Sequence, residues 1–314
     1  MSDQKIGAAK GLLKHITTKA SISDDKSRDS AFEDQTALTL TAVSDLHLMF
    51  DVDDPYQLPV PDAADLVLLA GDIADKCKTK YLDWILNATA GKPVAYTLGN
   101  HELYGSRRDK VARECRAAFA GSHVHFLLNE SVVINGIRIA ATDLWTDFQL
   151  HGKGPQAMRE AEHQMNDYKK IRVQVRDGYG HRYRKLRATD TLGWHQEARV
   201  FIETTLNNSK EQVVLMTHHG TSRKCIRPGY STGLLDAAYT SDLESLFERT
   251  KKPPVLCVHG HTHQHMCTRL DCGSVLYSNQ RGYAHYERVP GYDPERLIQI
   301  SESGTVTVDG YPSI

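Results

Sequence analysis

The chain has 314 residues, 40% hydrophobic and 25% charged, with a formal net charge of -1. That composition describes an ordinary soluble protein able to bury a sizeable core, as one large domain or two small ones. Near-neutral charge excludes a global pull towards nucleic acid or an anionic membrane, so a nucleic-acid substrate would need a local patch. No segment has the apolar length of a signal peptide or a membrane span, so the expected compartment is the cytoplasm. The six cysteines include no C-x-x-C pair and are expected as reduced thiols. Cys267 and Cys272 flank a predicted turn that could bring them together.

Residues 1–36 are rich in Lys, Ser, Asp and Thr, with one apolar pair at Leu12-Leu13. They predict a flexible N-terminal extension ahead of a domain at 37–314. LTLTAV (38–43) predicts a strand. LVLLA (66–70) is a continuous apolar run, as expected of a strand buried on both faces. A helix is predicted over 78–90, a third strand at VAYTL (94–98), and a second helix at about 106–120. VHFLL, SVVI and IRIAAT follow, and Asn135-Gly136 favours a two-residue hairpin between the last two. VVLMT (213–217) and VLCV (255–258) predict further buried strands, and RLDCGSVLYSN (269–279) a closing hairpin. This order implies a mixed-sheet α/β or α+β sandwich.

Residues 146–195 stand apart, with dense charge and no buried-strand signal, and predict a cap of helices and loops on the substrate side. From Lys153 to Arg187 there are ten Lys and Arg against four Asp and Glu, with Tyr168, Tyr179, Tyr183 and Trp194 interleaved nearby. Such a stretch either faces water or holds phosphate and stacks a base. Arg172, His195 and Arg281 are the expected substrate contacts, with His219 beside them.

Each polar motif follows an apolar run: SDLH with Asp45 and His47, GDIAD with Asp72, GNHE with Asn100 and His101, THHG with His218 and His219, and HGHTH with His261 and His263. Sites gather at the carboxyl ends of strands, where loops converge. Imidazole and carboxylate together suit Mn, Fe, Zn, Co or Ni, and the lack of thiolates argues against a structural zinc. The set is complete for two adjacent divalent ions, Mn being the first expectation. A carboxylate such as Asp72 can bridge the pair and lower its repulsion.

The series SDLH, GDIAD, GNHE, THH and GHTH resembles the calcineurin-like metallophosphoesterases over about residues 38–282. The resemblance implies a four-layer α/β/β/α sandwich. It implies that Asp45, His47 and His263 hold one metal, that Asn100, His218 and His261 hold the other, and that Asp72 bridges them. Either histidine of His218-His219 could be the ligand, with His218 preferred. It further implies hydrolysis of a phosphoester by metal-activated hydroxide, with His101 as leaving-group acid and Glu102 polarising it.

GDIADK and LGNHE lack the arginines of the Ser/Thr protein phosphatases, which carry GDxVDRG and RGNHE. GNHE also departs from the GNRD of lipid A precursor hydrolases. LWTDF (144–148), MNDYKKI (165–171) and NQRGY (279–283) look like elements of a bacterial branch. The substrate is then a phosphoester, with a nucleotide among the candidates and a phosphomonoester, a phosphodiester, a cyclic nucleotide or nucleic acid all open. The rival from another class is a binding scaffold that keeps the fold without chemistry; the filled ligand positions argue against it.

Overall fold

The computed structural model describes residues 34–314 apart from 52, 53, 178, 179, 228, 230 and 313. The expectation for the 1–36 extension therefore lies outside the described residues except at its last three, and so does Tyr179.

In chain order the elements are β1 (Thr36–Val43), β2 (Leu66–Leu69), α1 (Thr79–Asn87), β3 (Val94–Tyr96), α2 (Arg108–Phe119), β4 (Val124–Phe126), β5 (Glu130–Ile134) and β6 (Ile137–Thr142). Then come α3 (Gly154–Gln164), α4 (Asp167–Lys170), β7 (Arg172–Asp177), β8 (Gly180–Lys185), α5 (Ala188–Asn208) and β9 (Gln212–Thr217). The chain closes with α6 (Glu244–Arg249), β10 (Leu256–His259), β11 (His265–Arg269), β12 (Val275–Asn279), β13 (Ile298–Ser301) and β14 (Val306–Val308).

Two six-stranded sheets result, ordered β14-β13-β1-β2-β3-β4 and β11-β12-β10-β9-β6-β5. β1 to β4 run parallel in the first, and β6, β9, β10 and β12 run parallel in the second. β2 and β3 are apolar without a break because both faces are covered. Leu66 and Leu68 point into the cluster between the sheets, with Leu40, Val214, Met216 and Leu256. Val67 and Leu69 point the other way, into a cluster with Tyr81, Ile85, Val111 and Cys115 of α1 and α2. On the far side, Ala198, Ile202 and Leu206 of α5 and Phe247 of α6 pack on Val213, Leu215 and Cys257. These are the expected four layers.

The Asn135-Gly136 turn has positive φ at both residues, 48° and 76°, as the hairpin twist requires. Two expectations need correction. The 146–195 segment is not only helices and loops, because β7 and β8 pair as an antiparallel hairpin. It has no core of its own: Ala157, Ala161, Tyr168, Ile171, Leu186 and Ala188 enter the α1–α2 cluster. Its apolar residues are spread singly among charges, so no continuous buried run marks it. β13 and β14 were not foreseen, being short strands of four and three residues, with β14 at the edge of the first sheet. The cysteines are free, and the two that meet are Cys77 and Cys115, with sulfurs 3.3 Å apart, not Cys267 and Cys272. Among the described residues no helix is long and apolar enough to cross a membrane.

Candidate metal centre

The parallel strands β1, β2, β3, β9 and β10 end on one side, and each hands the chain into a short polar turn. Asp45, His47, Asp72, His261 and His263 all have positive φ, between 45° and 70°. Left-handed backbone is unfavourable for such residues and costs on the order of 1–3 kcal/mol each. Its recurrence at five predicted ligands marks turns held open to aim side chains at one point. Glycines let the turns approach: a Cβ at Gly99 would lie 2.1 Å from Asp72 Oδ1, and one at Gly260 would lie 2.7 Å from Asp45 Oδ2.

Asp72 Oδ2 is the hub. It lies 3.5 Å from His218 Nε2 and 3.9 Å from the Nε2 atoms of both His47 and His101. Asp45, His47 and His263 bring donor atoms within 4.8 Å of one another on one side of it, and Asp72, His218 and His261 do so on the other. His47 Nε2 and His263 Nε2 stand 3.1 Å apart, and His263 Nε2 is 3.5 Å from Asp45 Oδ1. Asn100 Oδ1 lies 3.0 Å from His218 Nε2. His261 Nε2 is buried without a hydrogen-bond partner among the described residues, which is costly unless a cation takes its lone pair.

The electrostatics favour cations. Burial opposes charge on His218, yet Asp72 and Asp45 raise it to about 10. Burial likewise opposes charge on His263, and Asp45 and Glu287 raise it to about 10. Asp72 is held well below the ordinary carboxylate range against its burial, by His218, His101 and His47. Nitrogen and oxygen donors around buried carboxylates fit borderline divalent metals, and no thiolate is among them.

The two histidines of the His218-His219 pair are placed differently, and Nε2 of His219 is, like that of His261, buried without a hydrogen-bond partner among the described residues. His218 donates from Nδ1 to the Ala70 carbonyl at 2.9 Å and turns Nε2 towards Asp72. His219 turns Nδ1 to the Asp143 carbonyl at 2.9 Å and packs behind His261, with ring centroids 4.3 Å apart. Burial and neighbouring His218 lower His219 to about 3, so it stays neutral. It is buried and does not line the cleft beside the cluster.

Glu102 is placed otherwise than expected. It does not reach the His101 ring. Its carboxylate accepts from the backbone N–H of Asp72 (3.1 Å), Ile73 (2.7 Å) and Gly99 (2.8 Å), which ties the second and third ligand turns together. Burial and the charge of Asp72 raise it to about 7. The partner of His101 is Asp75, whose Oδ1 accepts from Nδ1 at 2.5 Å. The signal was present as the second aspartate of GDIAD. Burial opposes the His101 charge, but Asp72 and Asp75 outweigh it and raise its pKa.

Three further residues went unforeseen. Asp167 of MNDYKKI accepts from Asn100 Nδ2 at 2.7 Å and from the Tyr104 hydroxyl at 3.0 Å. Glu287 hydrogen-bonds His263 Nδ1. The Tyr283 ring lies 4.5 Å from both His47 and His263, tilted to the first and edge-on to the second, and its hydroxyl lies 3.4 Å from His101 Nε2.

The expected substrate contacts fall elsewhere. His195 is fully buried on α5, its Nδ1 against the Trp145 carbonyl. Arg281 pairs with Asp51 at 2.6 and 2.8 Å and bonds the Leu46 carbonyl, so it braces the turn after Asp45. Arg172 lines a different cleft of about 650 Å³, with Arg108, Arg116, Arg176 and Trp194. The cleft beside Asp72 measures about 420 Å³ and is lined instead by His101, Tyr104, Asp167, Tyr239, His263 and Tyr283, among others.

Comparison with known proteins agrees with this architecture. A family model for the calcineurin-like phosphoesterases matches residues 38–265. An uncharacterised protein of Acanthamoeba polyphaga mimivirus is 23% identical over 291 residues, spanning 84% of this chain and 97% of the viral one. The crystal structure of a phosphopantetheinyl hydrolase from Mycobacterium tuberculosis superposes with a TM-score of 0.59 at 18% identity, covering 85% of this chain and 97% of that one. A dimetal phosphatase from Danio rerio gives 0.48 at 12% identity, covering 87% and 99%. The mycobacterial likeness is one of fold. Matched along most of its length by the family model, the chain belongs to the calcineurin-like phosphoesterases.

Proposed function

We propose that this chain hydrolyses a phosphoester using two divalent cations held on either side of Asp72. The observation that carries the reading is the convergence of donors from five strand ends on the Asp72 carboxylate. Asp45, His47 and His263 would hold one cation, and Asn100, His218 and His261 the other. Manganese is the first choice, and Fe, Zn, Co or Ni suits the same donors. Bound there, such cations acidify water and draw charge from phosphoryl oxygens.

The chain's own residues do the rest. His101 keeps the proton for the departing oxygen at Nε2, because Nδ1 is committed to Asp75. Tyr283 steadies that edge of the ring. Asp167 fixes the Asn100 amide so that its oxygen, not its nitrogen, faces the cluster. Glu287 does the equivalent for His263 by engaging Nδ1.

Metal analysis with turnover of bis-p-nitrophenyl phosphate, p-nitrophenyl phosphate and cyclic nucleotides tests the proposal and separates diesterase from monoesterase. Asp72→Ala is expected to lose both metals and all turnover. A wild-type protein that takes up no manganese and cleaves none of these esters would leave the scaffold as the better reading.

A further inference from the structure

We infer that one face of the β7–β8 hairpin, with the cleft it borders, binds single-stranded nucleic acid. The site goes beyond the hydrolysis reading and does not depend on it, since none of its residues lines the cleft beside Asp72.

Strand side chains alternate, so Arg172, Gln174 and Arg176 of β7 share a face. The register sets Lys185, Tyr183 and His181 of β8 opposite them, on that same face. The face is thus three rungs: Arg172 with Lys185, Gln174 with Tyr183, and Arg176 with His181. No acid stands among them. The other face carries Val173, packed against the α1–α2 cluster, and Arg184, tied to Asp190 at 2.6 and 2.7 Å.

Internal partners leave most of this charge unused. Arg176 and Lys185 form no ion pair or side-chain hydrogen bond among the described residues. Arg172 commits Nη1 to the Lys169 and Ile171 carbonyls, which fixes the guanidinium and leaves Nε and Nη2 open. Between the charged rungs the Tyr183 ring is 59% exposed. Arg107 holds it, 4.8 Å from the ring centre, and spends its own charge on Asp109. The cleft beyond, of about 650 Å³, adds the Trp194 ring. Arg108 and Arg116 line it too, but they pair with Asp143 and Glu130, and Asp109 and Glu197 share the lining. The free charge therefore comes from the hairpin.

The two charged rungs stand about 13 Å apart along the strand, which suits phosphates spaced along a chain better than a single phosphate. An exposed ring between them offers a stacking surface to a base whose own face is open. In a duplex those faces are already stacked and paired. This is the local patch that a near-neutral chain needs to hold nucleic acid.

The test is fluorescence anisotropy of manganese-loaded protein with a fluorescein-labelled phosphorothioate thymidine 12-mer, which keeps its charge and resists hydrolysis. Saturable binding is expected at about 50 mM salt, weakening steadily as salt rises. Arg176→Ala and Lys185→Ala should each raise Kd about tenfold and flatten the salt slope by about 0.7. Tyr183→Ala should raise Kd about tenfold with the slope unmoved, and Tyr183→Phe should stay within about twofold of the wild type, because it keeps the ring. Thermal melting of each variant checks that it is folded. Absence of binding at about 50 mM salt would overturn the inference, as would equal affinity for a duplex of the same length. So would binding that none of these substitutions alters, or full affinity in Tyr183→Ala, which would mark a patch that reads charge alone.

Discussion

Glu102 offers the sharpest test of how the centre is assembled. Its buried carboxylate is the acceptor for three backbone N–H groups, those of Asp72, Ile73 and Gly99. Glu102→Ala strands all three in the interior. A buried donor left unsatisfied costs about 1–3 kcal/mol, so the low end for three is about 3 kcal/mol and the unrelaxed extreme about 9. Domains of this kind are stable by about 5–15 kcal/mol, so the variant sits near the threshold for folding. Glu102→Gln is the milder probe. It keeps one acceptor oxygen but turns an NH₂ towards backbone donors, and should cost about 1–2 kcal/mol. The assay is urea unfolding of both variants, together with the pH–rate profile of Glu102→Gln. The structure requires lost stability and weakened metal retention, with the His101-dependent limb of the profile unmoved. A change in unfolding free energy below about 0.5 kcal/mol, or a shifted limb at full stability, would refute it and return Glu102 to the role of polarising His101.

Three other outcomes follow from the same geometry. His101→Ala should keep its metal and lose roughly 10²–10⁴ in rate, while Asp75→Asn should lose about 10–10², also with metal retained; metal content measured beside kcat checks both, and normal turnover by either variant would count against the acid assignment. Gly99→Ala drives a Cβ into Asp72 Oδ1 and should weaken metal binding by at least about tenfold in a titration, with native affinity contradicting the close approach. Arg172→Ala should leave kcat/KM for bis-p-nitrophenyl phosphate within about twofold, since Arg172 lines the other cleft; a larger fall in the assay would restore it as a substrate contact.

The sequence by itself determined which residues stand at the strand ends. Uninterrupted runs such as Leu66–Leu69 could only be strands covered on both faces, and each delivers its next polar residues to one side of the sheet. That is local information, so Asp45, His47, Asp72, Asn100, His218, His261 and His263 could be named together and are found together. Tertiary structure alone decided what supports them. Glu102 is adjacent to His101 in sequence, yet bonds backbone groups 29 and 30 residues away, while His101 takes Asp75 from the preceding strand end. Asp167 lies 67 residues from Asn100, in a segment whose positive charges drew attention away from its one inward carboxylate. A side chain's partner depends on how two turns face each other across the sheet, and no periodicity along the chain encodes that facing. Substrate contact failed to be legible for the same reason: charge density marked Arg172, but the fold lines the cleft beside Asp72 with Asn166 and Asp167 and places Arg172 in a separate one.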